Sequence, residues 1–180
     1  MPHAPRRAPA LLALLALLAV APTGGPGARA AEPVSIGPVS KLPVPRFVSL
    51  KSDRVNLREG PSKEHRTSWV FQRSGLPVEI TAEFETWRRI RDSEGSEGWV
   101  LHSLLSARRT ALVAPWSKDA ALPLYAKSNT SSEVSAQLQP GVLASVKACD
   151  GTWCRLTGQG FDGYMQQAKL WGVYPNEKVE

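Results

Sequence analysis

Side chains that commonly perform catalysis are scarce in this chain of 180 residues. It has two cysteines and three histidines, and no pattern typical of zinc hydrolases, serine hydrolases or phosphate-binding loops occurs. Glu79, Glu83 and Glu85 offer carboxylates for glycan hydrolysis. They lie on one predicted strand and its loop, where solvated acidic residues are the simpler interpretation. The sequence therefore predicts a protein that is not an enzyme and that uses no cofactor or metal.

The excess of positive charge is modest. The formal net charge is +6, but Arg6, Arg7 and Arg29 lie in a predicted leader, and without them 19 basic residues face 16 acidic ones. Nucleic-acid binding relies on a much denser field of Lys and Arg. The balance therefore argues against a nucleic-acid partner and is compatible with an anionic polymer of the cell envelope.

No apolar run is long enough to span a bilayer. The longest, residues 11–21, has eleven Leu, Ala and Val residues, whereas a transmembrane helix takes roughly 20. Arg6 and Arg7 before this run, and Ala28-Arg29-Ala30 after it, predict a signal peptide over residues 1–30 with cleavage after Ala30. An uncleaved N-terminal anchor is the alternative; no cysteine near the cleavage point would carry a lipid. We expect a secreted protein of the periplasm or cell envelope, with no transmembrane segment in the mature chain.

A sustained helical period is also missing. Residues 31–45 hold four prolines and little hydrophobic periodicity, which predicts an extended Pro-rich linker. From Arg46 onward, short strand-like runs are separated by turn residues, a pattern typical of an all-β barrel or sandwich. One short helical turn is expected near residues 102–105.

The chain does contain an internal repeat. The patterns Val-Asn-Leu-Arg from position 55, Trp-x-x-Ile from 87 and Gly-Trp-Val from 98 return 65 to 67 residues later as Leu-Pro-Leu-Tyr, Trp-x-x-Leu and Gly-Tyr-Met. Such a repeat predicts two small domains of one kind in tandem, over residues 46–106 and 110–175. Because the connector between them is short, we expect the domains to be in contact.

The motifs of the first copy resemble those of the bacterial SH3-like (Src-homology-3-like) family. They are Val55-Asn56-Leu57-Arg58-Glu59-Gly60-Pro61-Ser62, Trp87-x-x-Ile90 and Gly98-Trp99-Val100-x-x-Ser103-Leu104-Leu105. The first copy is also similar to exported proteins with tandem domains of this family. The resemblance implies two small five-stranded barrels, called here barrel 1 and barrel 2, that bind cell-wall material or envelope proteins. Barrel 2 lacks the Asn, the Arg and the Gly-Pro turn of the first motif.

Aromatic and Arg side chains of barrel 1 predict a ligand groove. Trp87 and Ile90 point to opposite faces of a strand; with Ile90 in the core, Trp87 lines the groove beside Arg89 and Arg91. Such a surface can bind a ligand by stacking and by paired hydrogen bonds to carboxylates. The alternative is that Trp87 only covers the edge of the barrel and that the Arg residues form a solvated face without a ligand. The resemblance adds five candidates, of which Trp99 fits the core equally well: Asn56, Arg58, Trp69, Phe71 and Trp99.

The two cysteines fit a cross-strand disulfide, with a redox pair or half of a metal site as the alternatives. Cys149 and Cys154 flank Asp150-Gly151, a strong hairpin signal, and an exported chain permits the bond. At an offset of 66, these positions correspond to Glu83 and Arg88 of barrel 1. The sequence therefore predicts an opposite-charge pair, expected to be exposed, where barrel 2 has its disulfide.

These observations favour a non-catalytic binding module of the bacterial cell envelope. The leading hypothesis is that the groove of barrel 1 recognises peptidoglycan or its stem peptides, which are extended and carry carboxylates. The alternative is a protein–protein adaptor for an envelope enzyme or transporter. Binding of PxxP peptides is not expected, because the segment after Gly98-Trp99-Val100 lacks the Pro and the Tyr of proline-reading relatives.

Overall fold

The structure, a computed structural model, describes residues 34–118 and 120–180, and the predicted signal peptide and its cleavage point lie outside them. Among these residues no helix is long and apolar enough to cross a membrane. The segment predicted as an extended linker contains a short hairpin, in which strand β1 (Ser35–Ile36) pairs with β2 (Pro43–Val44).

Barrel 1 is an antiparallel sheet with the strand order β5-β4-β8-β7-β6-β3-β9. Its strands are β3 (Arg46–Leu50), β4 (Val55–Arg58), β5 (Thr67–Phe71), β6 (Pro77–Phe84), β7 (Trp87–Arg91), β8 (Glu97–Leu101) and β9 (Leu105–Ser106). The helical turn expected near residues 102–105 is a 3-10 helix over His102–Leu104.

Barrel 2 repeats this order of strands as β12-β11-β15-β14-β13-β10-β16, with a further strand, β17, paired to β13. Its strands are β10 (Thr110–Val113), β11 (Leu122–Tyr125), β12 (Val134–Leu138), β13 (Leu143–Asp150), β14 (Trp153–Gly158), β15 (Phe161–Gln166), β16 (Leu170–Trp171) and β17 (Lys178–Val179), with a second 3-10 helix over Gln167–Lys169. The all-β fold and the tandem organisation predicted from the repeat are thereby confirmed.

Each barrel has its own apolar core. Leu50, Val55, Leu57 and Ile90 are among the buried residues of the first core, and a second cluster that includes Cys154 and Leu156 fills barrel 2. In strands such as β4 and β15, alternation sends every second side chain into these cores and leaves the others on the outer face.

The glycine of the closing motif is required by strand packing in both copies. A Cβ on Gly98 would lie 2.6 Å from Leu57 Cγ and 2.8 Å from the carbonyl oxygen of Arg58. A Cβ on Gly163 would lie 2.7 Å from the carbonyl oxygen of Tyr125. Only glycine lets the closing strand approach the first strand of the repeat this closely.

The strand register confirms that a charged pair in barrel 1 occupies the positions of the two cysteines in barrel 2. Cys149 lies opposite Cys154 and forms a disulfide with it, and Glu83 lies opposite Arg88 at 3.4 Å. The expectation that this pair is exposed is wrong, since the side chains of Glu83 and Arg88 are only 0% and 8% exposed. The N-terminal hairpin covers it, because Glu83 also accepts hydrogen bonds from Ser40.

The two barrels are in contact, as the short connector predicts. The ring of Phe47 packs edge-on against Trp171 at 5.1 Å and lies 4.7 Å from the ring of Tyr174. The hydroxyl of Thr110 donates a 2.7 Å hydrogen bond to the carbonyl oxygen of Gly75. Aromatic packing and buried polar contacts therefore both join barrel 1 to barrel 2.

Candidate functional site

A shallow groove on barrel 1 brings together part of the predicted binding set. Asn56, Arg58 and Trp87 line it, around a volume of about 270 Å³. Its remaining lining residues are Arg54, Lys63, Leu101 and Leu104. Because three of these side chains are basic, we call it the cationic groove.

The alternation of β4 places two of these side chains. Val55 and Leu57 are 0% and 1% exposed in the core, so Asn56 and Arg58 between and after them face outward. The Nη1 of Arg58 donates to the carbonyl oxygens of Lys63 at 3.0 Å and His65 at 2.7 Å. Arg58 therefore orders the loop that carries Lys63 to the groove.

Trp87 lines the groove although most of its side chain is shielded from solvent. Its cross-strand neighbour Leu101 lines the groove as well. Ile90 is fully buried in the core, as expected from its opposite orientation on β7. Trp87 therefore offers a ligand an apolar face held in place by the sheet.

The positive charge of the groove is not fully neutralised by the protein itself. Within residues 34–118 and 120–180, no carboxylate forms an ion pair with Arg54, Arg58 or Lys63. The nearby Glu64 remains ionised, since a hydrogen bond from Ser62, and to a smaller extent the charge of Arg58, lower its pKa. The arrangement can bind an anionic group over an apolar surface.

Arg89, Arg91 and Trp99 lie on the same outer face of the sheet but do not line the cationic groove. Arg89 forms a 2.6 Å ion pair with Glu97. Trp99 is half-buried and lies in register between Arg58 and Arg89 on the neighbouring strands. Trp99 therefore borders the groove from the β8 side.

Arg91 belongs to the contact between the barrels. It is buried and pairs with Glu79 at 2.6 Å, and the hydroxyl of Tyr174 donates to the other carboxylate oxygen of Glu79 at 2.9 Å. Burial, together with the charge of Glu79, raises the pKa of Tyr174. The structure thus places Arg91 in a polar network that joins barrel 1 to barrel 2.

Trp69 and Phe71 line a different and larger cavity, which lies between the barrels and has a volume of about 660 Å³. Phe71 is also part of the core of barrel 1, whereas Trp69 is 59% exposed. Seven of the eight predicted residues thus divide among the cationic groove, its border, the barrel contact and this interbarrel cleft, whereas Arg89 lies outside all four and pairs with Glu97.

Sequence reasoning missed four residues of the cationic groove. Arg54 lies two residues before Asn56 and four before Arg58, so alternation along the strand predicts that it shares their outer face. Lys63 reaches the groove through a loop, and Leu101 and Leu104 come from the far end of the barrel sequence. Only the folded, curled sheet brings these three to the groove.

Barrel 2 keeps the architecture of this face but changes its chemistry. Tyr125 stands at the position of Arg58, and its ring packs edge-on against Trp153, the counterpart of Trp87, at 5.7 Å. Arg155 pairs with Asp162 at 2.8 Å, as Arg89 does with Glu97. Barrel 2 therefore presents aromatic rings where barrel 1 presents cations.

In the described part of the chain, no group of three or more His, Cys, Asp or Glu residues is arranged to hold a metal ion. A family model described as "Bacterial SH3 domain" matches residues 51–107 and 118–172. Bacterial SH3 domains are binding domains that often recognise cell-wall components, and they are typically extracellular or envelope-associated.

The solved structures that resemble this chain include NlpC2 and NlpC1 from Trichomonas vaginalis, both at 13% identity and a TM-score of 0.32. The matches cover 71% and 75% of this chain and 48% of each of those chains, so this chain spans about half of their length. Likeness at this level carries no functional argument. No curated protein matches the chain significantly.

Proposed function

This chain belongs to the bacterial SH3 domain family, and on that premise we propose that barrel 1 binds peptidoglycan stem peptides in the cell envelope through the cationic groove. The observation that carries the proposal is the cluster of Arg54, Arg58 and Lys63, which forms no ion pair with a carboxylate among the described residues and surrounds an apolar wall.

The chemistry of the groove matches that of a stem peptide. Such peptides are extended and carry carboxylates, which accept charge-assisted hydrogen bonds from guanidinium and ammonium groups. Trp87 and Leu101 supply apolar contact for the aliphatic parts of the peptide. Because Arg58 already orders the loop of Lys63, binding costs less conformational entropy there than it would in a disordered loop.

The predicted signal peptide would direct the chain to the compartment where this ligand is found. Residues 1–30 have the basic start, the apolar run and the small residues of a cleavage site. Export also agrees with the disulfide of barrel 2, since such bonds persist in oxidising compartments. We therefore assign the protein to the periplasm or cell envelope, as a binding module without catalytic activity.

Co-sedimentation with purified peptidoglycan sacculi tests the proposal. The charge reversal Arg54→Glu/Lys63→Glu changes two exposed side chains and leaves Trp87 and Arg58, on which the fold depends, in place. We expect it to lower the affinity for sacculi roughly tenfold or more. We also expect wild-type binding to weaken as ionic strength rises, because salt screens exposed charges.

The matched control is Lys127→Glu/Lys169→Glu, which changes the net charge equally on the exposed surface of barrel 2. A free stem peptide is expected to compete with sacculi, and the same peptide with its carboxylates amidated is expected to compete poorly. Equal binding by both double variants, or equal competition by both peptides, would refute the cationic groove as the site.

A further inference from the structure

The cleft between the barrels is the larger of the two cavities described above and is not used by the proposed function. Barrel 1 contributes Trp69, Val70 and Phe71 to its lining, and barrel 2 contributes Pro115 and Pro140. Its volume of about 660 Å³ lies in the range of sites that enclose small ligands or peptide segments.

The cleft runs along the edge of a β-sheet. Successive residues of a strand point to opposite faces, so a cavity touched by Trp69, Val70 and Phe71 in succession follows the edge of β5 and not one of its faces. Among the described residues, β5 is the terminal strand of its sheet and pairs with β4 alone. The main-chain N–H and C=O groups on the side of β5 away from β4 therefore have no strand partner in this part of the chain.

Apart from the register irregularity between Thr67 and Trp69, this edge lacks charge and proline, two features by which proteins protect such strands. Between Thr67 and Phe71 there is no charged residue and no proline. Trp69 is 59% exposed in the middle of the strand. Trp69 lies opposite Leu57 of β4. In barrel 2, Ala136 of the equivalent edge strand β12 lies opposite Leu124 of β11. Ala136 therefore stands at the position of Trp69.

We propose that the interbarrel cleft binds an extended peptide segment of a partner protein, which adds to the sheet as a strand beside β5. Main-chain hydrogen bonds to β5 supply affinity, and the apolar surfaces of Trp69, Pro115 and Pro140 select apolar side chains at alternate positions of the peptide. The cleft carries two carboxylates, those of Asp92 and Glu94, against the single guanidinium of Arg73. This balance favours a peptide that also has a basic residue.

The site is separate from the cationic groove, because the two share no lining residue. Arg54→Glu/Lys63→Glu therefore leaves peptide binding in the cleft unchanged. Trp69→Ala in turn leaves the binding of sacculi unchanged. Failure of one proposal can be told apart from failure of the other.

A phage-displayed library of random dodecapeptides, selected on the full chain, tests the inference. Selected peptides are expected to alternate apolar and polar residues and to contain Lys or Arg. Trp69→Ala is expected to weaken their binding about tenfold or more. The control is Phe84→Ala, an exposed aromatic at the opposite end of β6 from the cleft-lining Pro77, roughly 20 Å away.

A second arm uses the wild-type protein and does not depend on how a variant folds. Two sets of peptides are N-methylated at alternate residues, one set at odd and one at even positions; they keep their side chains but lose the main-chain donors at those positions. Strand addition requires the donors of one set only, so about tenfold weaker binding is expected for one of the two methylation registers. Equal binding by both registers and the parent peptide, full binding by Trp69→Ala, or a library without binders would each overturn the proposal. A concentration-dependent dimer that Trp69→Ala dissolves would assign the edge to a second copy of the chain and overturn it as well.

Discussion

Glu83 fastens the N-terminal hairpin to barrel 1, and its replacement by Gln tests how much that contact contributes. Its side chain, which is 0% exposed, accepts hydrogen bonds from the main-chain N–H groups of Val39 at 3.1 Å and Ser40 at 2.8 Å. It also pairs with Arg46 at 2.8 Å and with Arg88 at 3.4 Å. Glu83→Gln removes the negative charge while it keeps the size and shape of the side chain.

The magnitude follows from the pKa of Glu83. Burial alone would raise this pKa, but hydrogen bonds from Ser40, Arg46 and Val39 outweigh burial and lower it from 4.5 to about 2. A change of this size corresponds to roughly 3 kcal/mol at most. Arg46 is 18% exposed, so water screens part of the interaction. We therefore expect Glu83→Gln to destabilise the hairpin contact by about 1–3 kcal/mol at neutral pH.

The sign of the pH dependence is fixed by the direction of the shift. Because the pKa of Glu83 is lower in the folded protein, its ionisation stabilises the fold above pH 4.5, and this stabilisation is lost as the pH falls from 4.5 toward 2. The difference between wild type and Glu83→Gln is therefore expected to be greatest near neutral pH and to shrink through this acidic window.

Hydrogen exchange of the Val39 and Ser40 amides, followed by NMR, measures the effect locally. A loss of 1–3 kcal/mol corresponds to exchange about 5- to 160-fold faster in Glu83→Gln. Glu85→Gln, at an exposed residue two positions along, is the control and is expected to leave these amides unchanged. Equal exchange in wild type and Glu83→Gln, or a difference that persists undiminished at pH 2, would refute the reasoning.

Three further predictions concern the disulfide, the barrel contact and the closing glycine. Reduction of Cys149–Cys154 should destabilise barrel 2 by roughly 2 kcal/mol and loosen it before barrel 1; equal acceleration of hydrogen exchange in both barrels would contradict this. Tyr174→Phe removes the hydrogen bond to Glu79 and should lower the free energy of unfolding in urea by about 1 kcal/mol, whereas an unchanged value would mean that this bond contributes nothing. Gly98→Ala forces a Cβ against β4 and should lower the melting temperature, at a cost of about 1–3 kcal/mol; a wild-type melting temperature would show that β8 can shift.

The prediction of the fold from sequence succeeded where the signal was local or repeated. Alternation in short runs predicts the strands, and the offset of 66 residues correctly places Glu83 and Arg88 at the positions of the two cysteines. Burial of that charged pair could not be predicted, because it depends on the hairpin that covers Glu83 from more than 40 residues away. Proline content made the same hairpin look like an extended linker.

The candidate site was harder to predict for a related physical reason. Arg89 and Arg91 share a strand face in the sequence pattern, and both reach Glu97, yet Arg89 stays near solvent whereas Arg91 is buried against Glu79 beneath barrel 2. Strand parity tells which face a side chain takes. It does not tell what covers that face.

The sequence by itself determined the repeat, the all-β texture, the disulfide and the family, because each of these is carried by residue types at fixed spacing. Tertiary structure alone decided which cations remain without an acidic partner, which aromatics stay exposed, and that β5 presents an open edge to a cleft between the barrels. Those properties depend on the curling of each sheet and on the contact of one barrel with the other. Both bring together residues that are distant in the chain, so no local pattern encodes them.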